Sequence, residues 1–156
     1  MSEITDRSSA ETSPSEPDPP TMLYLIKQVE LSIRARMDEV LRASGVTVLQ
    51  YTALTVLRRR DGLSSAELAR LSFVTAQAMG EMIATLERRG LLVRAENPDH
   101  GRRLSISLTS AGRTLLSTHD ERIAALEGTM LADLATLERE ELRDSLNRCR
   151  VALSKV

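Results

Sequence analysis

The sequence is poor in aromatic residues and in cysteine, and this scarcity excludes several classes of protein. Its 156 residues include no tryptophan, two tyrosines, one phenylalanine and one cysteine. A single cysteine cannot form an internal disulfide framework or a cysteine-based metal cluster. The two histidines, His100 and His119, do not occur in the paired spacing that metal-binding helices use. We therefore predict neither a metal nor a cofactor.

Long apolar runs and glycine-rich loops are also missing. No apolar stretch approaches the roughly 18 residues that a membrane span needs, and the first residues are acidic, unlike a signal peptide. No glycine-rich phosphate loop and no pairing of a nucleophile with a base is visible. These absences predict a cytoplasmic protein that is not an enzyme. A small hydrolase or transferase is the least favoured of the alternatives.

Charge is divided unevenly along the chain, although the formal net charge is only −1. Residues 1–20 carry five acidic side chains and one arginine, are rich in Ser and Pro, and predict a disordered acidic tail. Residues 58–103 hold nine arginines against six acidic residues. This basic bias is weak for a protein that binds nucleic acid, so a dimer would have to gather its arginines on one face.

The remaining composition is aliphatic, with few Gly and Pro residues, and predicts one mainly helical domain over 21–156. A capping box of Thr47 and Gln50 opens the second helix, and Thr136 is the expected N-cap of the last. Cys149 falls on the apolar stripe of that last helix and is expected to be buried. An amphipathic helix over 21–43 should turn the following residues inward: Leu23, Ile26, Ile33, Met37, Val40 and Leu41.

The stretch from Ser64 to Gly90 predicts a helix-turn-helix. Ser64 and Glu67 form a capping box for a short helix, and Thr75 suits the N-cap of the next helix. Two helices joined by three or four residues are typical of this motif, whose second helix enters the major groove of DNA. The apolar stripe of this second helix of the motif, which begins after Thr75, contains Met79, Met82, Ile83 and Leu86. Its opposite face contains Gln77, Glu81, Ala84 and Arg88.

Small and polar residues near the start of the second helix are the candidates for contacting base edges. A Gln can bond an adenine edge, a Thr methyl can touch a thymine methyl, and a Glu can accept from a cytosine amino group. A Gly within a helix costs about 0.5–1 kcal/mol relative to Ala, which indicates a close approach to its backbone. The alternative is a packed helix with a solvated face. The candidates are Thr75, Ala76, Gln77, Gly80 and Glu81, while Ser64 and Ser65 would offer a helix N-terminus to phosphate.

Two strand-like runs follow Gly90 and predict a β-hairpin. They are residues 91–95 and 104–108, and the polar loop between them carries Arg102 and Arg103. A helix-turn-helix followed by a basic hairpin is a winged helix, whose arginines reach phosphates or the minor groove. Arg88 should also neutralise a phosphate. The predicted fold is thus mainly α with a small β-hairpin, a winged helix-turn-helix over about 47–109 between long terminal helices.

This pattern resembles the multiple antibiotic resistance regulator (MarR) family of winged-helix transcriptional regulators. The shared features are a helix ending in LERRG, then LLVR, a loop with Asp, Gly and Arg, and an exit reading LTSAG. The resemblance covers roughly residues 21–156 and is strongest over 64–112. Arg102 falls on the family's wing arginine. His100 stands where the family usually places an Asp, and Asp99 replaces it if the loop is one residue longer.

The resemblance implies a homodimeric repressor in which the first helix and the last two helices, about 21–43 and 110–154, intertwine. Such a dimer would bind a pseudo-palindromic operator on double-stranded DNA. It also implies release by a small phenolic or aromatic acid, for which Tyr24, Met37 and Tyr51 are the candidate binding residues. Arg94 is expected to brace the wing through Asp99. The competing hypothesis is a winged-helix module that binds another protein and no DNA.

Overall fold

The structure is a computed structural model that describes residues 18–97 and 103–155. Within these ranges the chain forms six α-helices and one two-stranded antiparallel sheet, which confirms the predicted fold class. The helices are α1 (Met22–Leu41), α2 (Val48–Arg59), α3 (Ser65–Leu71), α4 (Ala76–Arg88), α5 (Ser110–Met130) and α6 (Thr136–Leu153). A short 3-10 helix, Arg42–Ser44, follows α1, and the strands are β1 (Leu92–Asn97) and β2 (Arg103–Leu108).

Most helices begin where the sequence predicts. The Thr47 hydroxyl accepts from the Gln50 N–H at 3.2 Å, and the Gln50 side chain accepts from the Thr47 N–H at 3.0 Å. Ser64 caps α3 through the same reciprocal pair with Glu67, whereas at α4 only the Thr75 hydroxyl accepts, from the Ala78 N–H. The prediction for α6 is wrong by one residue, because Ala135 is its N-cap. Alanine has no hydroxyl to accept from the first helical N–H groups, and only the other half of a capping box forms, in which the carboxylate of Glu138 accepts from the Ala135 N–H at 2.7 Å.

The core lies where α2, α3 and α4 pack against the hairpin and the first half of α5. Aliphatic side chains fill it, in keeping with the scarcity of aromatic residues. Its fully buried members include Leu54, Leu57, Leu68, Met79, Leu86, Leu92, Ile106 and Leu116.

The hairpin is fastened to the loop between α2 and α3. Its register pairs Leu92 with Leu108 at one end and Asn97 with Arg103 at the other. The Ile106 N–H donates to the Leu63 carbonyl at 2.8 Å, and the Gly62 N–H donates to the Ile106 carbonyl at 3.1 Å. This extra bridge fixes the hairpin beside the helix-turn-helix.

The terminal helices leave apolar side chains uncovered on a single chain. In α1, Leu41 is buried and Met37 is half-buried as predicted, but Leu23 is 78% exposed and Ile26 is also exposed. Cys149 is exposed, so the prediction of a buried thiol is wrong for the isolated chain. The reason is that α6, all of which lies in the described ranges, contributes no buried residue.

No single helix in the part of the chain that the structure describes is long and apolar enough to cross a membrane. The segments Met22–Ser44 and Val48–Arg59 meet that criterion only when taken together, and they are bent by 84° relative to each other.

Candidate nucleic-acid interface

Helix α4 has one buried and one exposed face. Met79, Ile83 and Leu86 are buried and Met82 is half-buried, which confirms the predicted apolar stripe. The residues of α4 and its N-cap that were proposed to face DNA are exposed: Thr75, Ala76, Gln77, Gly80, Glu81 and Arg88. Ala84 is half-buried and does not belong to this exposed face.

The N-terminus of α4 is fixed by its cap, and its exposed polar side chains are available to a partner. The Thr75 hydroxyl accepts from the Ala78 N–H at 3.1 Å, which leaves its own hydrogen and its methyl group available. Among the described residues, the side chains of Gln77 and Glu81 have no hydrogen-bond partner. A donor, an acceptor and an apolar group therefore project from one turn, which is what contact with base edges requires.

Gly80 lies beside a small cavity of about 100 Å³ between α3, α4 and the hairpin. A Cβ atom added at this glycine would meet nothing within 4 Å. Packing inside the chain therefore does not require a glycine here. The other residues that line the cavity are Ser65, Ile83, Arg94, Leu104 and Ile106.

The two serines at the start of α3 differ in their availability. The Ser64 N–H and hydroxyl both donate to one Glu67 carboxylate oxygen, at 2.9 and 2.7 Å. The hydrogen bond from the Ser64 hydroxyl, followed by that from its backbone, lowers the pKa of the Glu67 carboxyl. Ser64 is thus half-buried and engaged within its own capping box. Ser65 is exposed and stands in the first turn.

The arginines at the end of α4 have separate roles. Arg88 is exposed, and its Nη2 donates to the Thr85 hydroxyl at 3.3 Å. Arg89 instead donates to the carbonyl oxygens of Ser44 and Gly45, at 2.7 and 2.8 Å. Arg89 therefore ties the end of α4 to the junction between α1 and α2. The sequence gives no sign of this contact, because its partners lie over 40 residues away.

Arg94 pairs with Glu87, which was not the partner expected from the sequence. This ion pair joins β1 to the last turn of α4. The hydrogen bond from Arg94 lowers the pKa of the Glu87 carboxyl, and the Glu87 carboxylate raises the pKa of the Arg94 guanidinium. The predicted partner, Asp99, lies outside the described residues. The sequence prediction missed Glu87 because the contact crosses the turn at Gly90.

The tip of the hairpin is not among the described residues, so the predictions for it stay predictions. Arg103 belongs to β2 and pairs with Asn97 in the strand register. Its side chain, together with the whole of Arg102, Asp99 and His100, falls outside the described residues.

The turn between α3 and α4 contains an aromatic residue that the sequence prediction did not single out. Phe73 has a φ of +58°, the only non-glycine residue in the described ranges with a positive value. Its side chain is 81% exposed. The only signal in the sequence is that the single phenylalanine of the chain falls in this three-residue turn.

The three residues proposed to bind an aromatic acid lie in different surroundings. Tyr24 is exposed near the start of α1. Tyr51 is 4% exposed, with its ring edge-on to His119 at a centroid distance of 6.3 Å. Burial, followed by the charge of Asp120, raises the pKa of the Tyr51 hydroxyl.

Only Met37 of the three lines the apolar groove formed by α1, α2, α5, α6 and the α5–α6 loop. This groove has a volume of about 470 Å³. Its charged members are Glu30 and Arg34, which pair at 2.8 Å. The lining also includes Ile26, Ile33, Met130, Leu134, Leu142 and Leu146. In the described ranges no group of three or more His, Cys, Asp or Glu residues could hold a metal ion.

Known proteins share this architecture. The sequence profile of the MarR family matches residues 44–103. The chain is 33% identical over 125 residues to the HTH-type transcriptional repressor Rv2887 of Mycobacterium tuberculosis, covering 80% of this chain and 90% of that protein. The structure of a probable transcriptional regulator from Pseudomonas aeruginosa is 30% identical, with a TM-score of 0.71, covering 82% of this chain and 96% of that one.

Two further structures bear on the fold and the family. The Staphylococcus aureus MepR–DNA complex has a TM-score of 0.76 at 24% identity, covers 85% of this chain and 96% of that one, and shares the fold. The M. tuberculosis MarR family protein Rv2887, solved with salicylic acid, has a TM-score of 0.67 at 32% identity and covers 85% of this chain and 98% of that one. The chain thus belongs to the MarR family of winged-helix transcriptional regulators.

Proposed function

We propose that the protein is a dimeric repressor that binds a pseudo-palindromic operator and is released from it by a small aromatic acid. The observation that carries the proposal is the N-terminal turn of α4. Its outer side chains are exposed, while the opposite face of the helix packs against the core. Thr75, Ala76, Gln77 and Gly80 contact base edges, with Glu81 beside them. The proposal is further supported by the 33% identical relative named a transcriptional repressor.

Residues on either side of this turn contact the phosphates of DNA. Ser65 offers its backbone N–H at the start of α3, in preference to Ser64, whose polar groups are engaged by Glu67. Arg88, Arg102 and Arg103 neutralise phosphates on either side of the recognition helix. Arg89 and Arg94 are excluded from this set because their guanidinium groups bind within the protein.

Dimerisation follows from the uncovered leucines of the terminal helices. Leu142, Leu146 and Leu153 form an exposed apolar stripe on α6, and α1 carries further exposed apolar side chains. A second copy would cover these surfaces, since contiguous apolar patches of this kind mark interfaces. The twofold axis would then place two α4 helices on successive major grooves.

The effector is proposed to be an aromatic carboxylic acid. One relative, Rv2887, was solved both with salicylic acid and with p-aminosalicylic acid, in structures 32% and 31% identical to this chain. The groove lined by Met37 is large enough and apolar enough to hold one aromatic ring. Binding there would weaken DNA affinity by favouring a dimer whose two α4 helices are wrongly spaced.

The test of DNA binding is a salt titration with random-sequence duplex DNA, followed by selection from a random duplex pool. We expect affinity to fall steeply between about 50 and 200 mM salt, because phosphate contacts release counterions. Selection should enrich one inverted repeat. A flat salt dependence with no enriched sequence would favour the competing hypothesis, a winged helix that binds another protein.

We infer that the protein acts by binding and not by catalysis, since its relatives are named transcriptional regulators. Turnover of a generic ester or acyl substrate by the pure protein would contradict this. We further propose a cytoplasmic location, because a repressor must reach the chromosome and the relatives are bacterial proteins.

A further inference from the structure

Phe73 is held in a conformation that its side chain does not favour, with its ring in solvent. Its φ of +58° lies in the left-handed region, which bulky side chains rarely adopt. The residues before and after it, Ser72 and Val74, are buried and half-buried, whereas the Phe73 side chain is exposed. The left-handed conformation itself closes α3, because the Val74 N–H donates to the Ala69 carbonyl at 3.1 Å and the Phe73 N–H donates to the Arg70 carbonyl at 3.4 Å. Glycine is the usual residue at such a position, so it is the phenylalanine side chain that needs an explanation.

The core of the protein does not explain the ring. Phe73 is absent from the buried cluster and from the half-buried side chains packed against it, whereas its neighbours Leu71 and Val74 belong to the latter group. Its exposed neighbours along the chain, Arg70 and Thr75, are polar. The exposed leucines proposed to form the dimer lie on other elements, α1 and α6. The ring is therefore not part of the apolar surface assigned to a second copy.

The position of Phe73 relative to α4 points to DNA. Only one residue separates it from Thr75, the N-cap of α4, so their Cα atoms lie within about 7 Å of each other. Residues at the N-terminus of a recognition helix reach the base edges of the major groove. A phenylalanine cannot donate to a phosphate, but it can contact the one methyl group in the major groove, on C5 of thymine.

We propose that the Phe73 ring contacts the 5-methyl group of a thymine in each operator half-site, beside the N-terminus of α4. This inference rests on the proposed function and adds a residue that determines sequence preference. Its exposure in the free protein then follows from the role of the ring, which is covered only on DNA.

The experiment uses the operator obtained by selection with the full-length protein. Each thymine is replaced in turn by deoxyuridine, which removes only the methyl group, and affinity is measured for the wild type and for two variants. Both Phe73→Ala and Phe73→Gly remove the ring, but only glycine adopts a positive φ without strain. An equal change in operator affinity in the two variants would therefore be due to loss of the ring and not to backbone strain. Thr75→Ser is the matched control, because it removes the other candidate methyl contact and keeps the capping hydroxyl.

We expect one thymine in each half-site at which deoxyuridine weakens wild-type binding about four-fold, the factor that corresponds to about 0.8 kcal/mol for one buried CH₂. Phe73→Ala and Phe73→Gly should bind the thymine operator at least four-fold more weakly and should lose this penalty. Thr75→Ser should retain it. Urea unfolding of each variant verifies that the fold is intact.

Persistence of every deoxyuridine penalty in both Phe73 variants would overturn the proposal, as would wild-type affinity in those variants. Absence of any penalty in the wild type would overturn it too. These outcomes are distinct from a failure of the proposed function, in which the wild type would enrich no duplex sequence at all.

Discussion

Gly112 is the residue at which the start of α5 touches the rest of the winged helix most closely. A Cβ atom built there would lie 2.1 Å from the Leu91 carbonyl oxygen and 3.1 Å from Leu108 Cδ2. The Thr109 hydroxyl donates to the Gly90 carbonyl at 2.6 Å and accepts from the Gly112 N–H at 3.1 Å. The exit reading LTSAG is therefore a docking segment that joins α5 to the end of α4.

Gly112→Ala should be strongly destabilising. The new methyl group would overlap backbone, which cannot move aside as a flexible side chain can, so we expect a loss of about 1–3 kcal/mol or more in the free energy of unfolding. Gly128→Ala in the same helix is the matched control, because a Cβ there meets nothing within 4 Å. It should raise the free energy of unfolding by about 0.5–1 kcal/mol. Urea titration followed by circular dichroism measures both, and equal effects would contradict this account of the exit segment.

The hydroxyl of Ser72 is buried and has no hydrogen-bond partner among the described residues. Ser72→Ala removes this unsatisfied group, so we expect it to raise the free energy of unfolding by about 1 kcal/mol. Ser44→Ala should lower it, because the Ser44 hydroxyl donates to the Leu41 carbonyl at 2.6 Å. Thermal and urea unfolding of the pair give the two signs. A destabilised Ser72→Ala would mean that its hydroxyl has a partner, such as an ordered water.

At the scale of the element, α4 combines tight packing on one side with an open backbone on the other. Gly80 lies on the open side, where no atom of the described residues, apart from its own helix backbone and chain neighbours, comes within 4 Å of a Cβ built on it. A helix interior favours Ala over Gly, so retaining a glycine here carries a stability cost.

Gly80→Ala is expected to raise stability and to weaken operator binding. Helix propensity predicts a gain of about 0.5–1 kcal/mol in the free energy of unfolding. The added methyl group would hold α4 away from the bases, and we expect about a tenfold loss of affinity, since one defective base contact costs about 1–3 kcal/mol. Fluorescence anisotropy and urea unfolding measure the two effects. Gly128→Ala provides the same gain in propensity at a site away from DNA and should bind normally.

Arg89 links two elements, because its guanidinium joins the end of α4 to the carbonyls that follow α1. In a dimer, this link would fix α4 relative to the helices that hold the two copies together. Arg89→Ala should therefore leave affinity for a single half-site unchanged and broaden the tolerated separation between half-sites. Operators lengthened or shortened by one base pair test this expectation. Arg88→Ala is the comparison, because loss of a phosphate contact should weaken binding to every operator equally.

At the scale of the whole molecule, α6 is an element that we expect to hold two copies together. Its leucines are exposed on a single chain, and Leu146, 47% exposed, also lines the apolar groove. Leu146→Glu should dissociate the dimer, since the carboxylate would be buried without a partner at the interface. Sedimentation should show the monomer, with operator affinity lost and the core still folded. A variant that stays dimeric would place the interface elsewhere.

Much of the fold was predictable from local patterns. The apolar stripe of α4, the caps at Thr47, Ser64 and Thr75, and the hairpin after Gly90 all depend on residues within a few positions of each other. The partners of Arg89 and Arg94 were not predictable, because both contacts cross from one element to another. The outward faces of α1 and α6 were mispredicted in part, since an apolar stripe does not say whether its own chain or a second copy covers it.

The sequence by itself determined the elements, their order and the exposed polar face of α4, because periodicity and capping act over one or two helical turns. Only the tertiary structure decided which arginines remain available for DNA and which glycines are required by packing. It also decided that Phe73 points into solvent. Those properties depend on contacts between residues that are far apart in the sequence. The contact of α4 with the end of α1, for example, cannot be predicted from the spacing of residues along the chain.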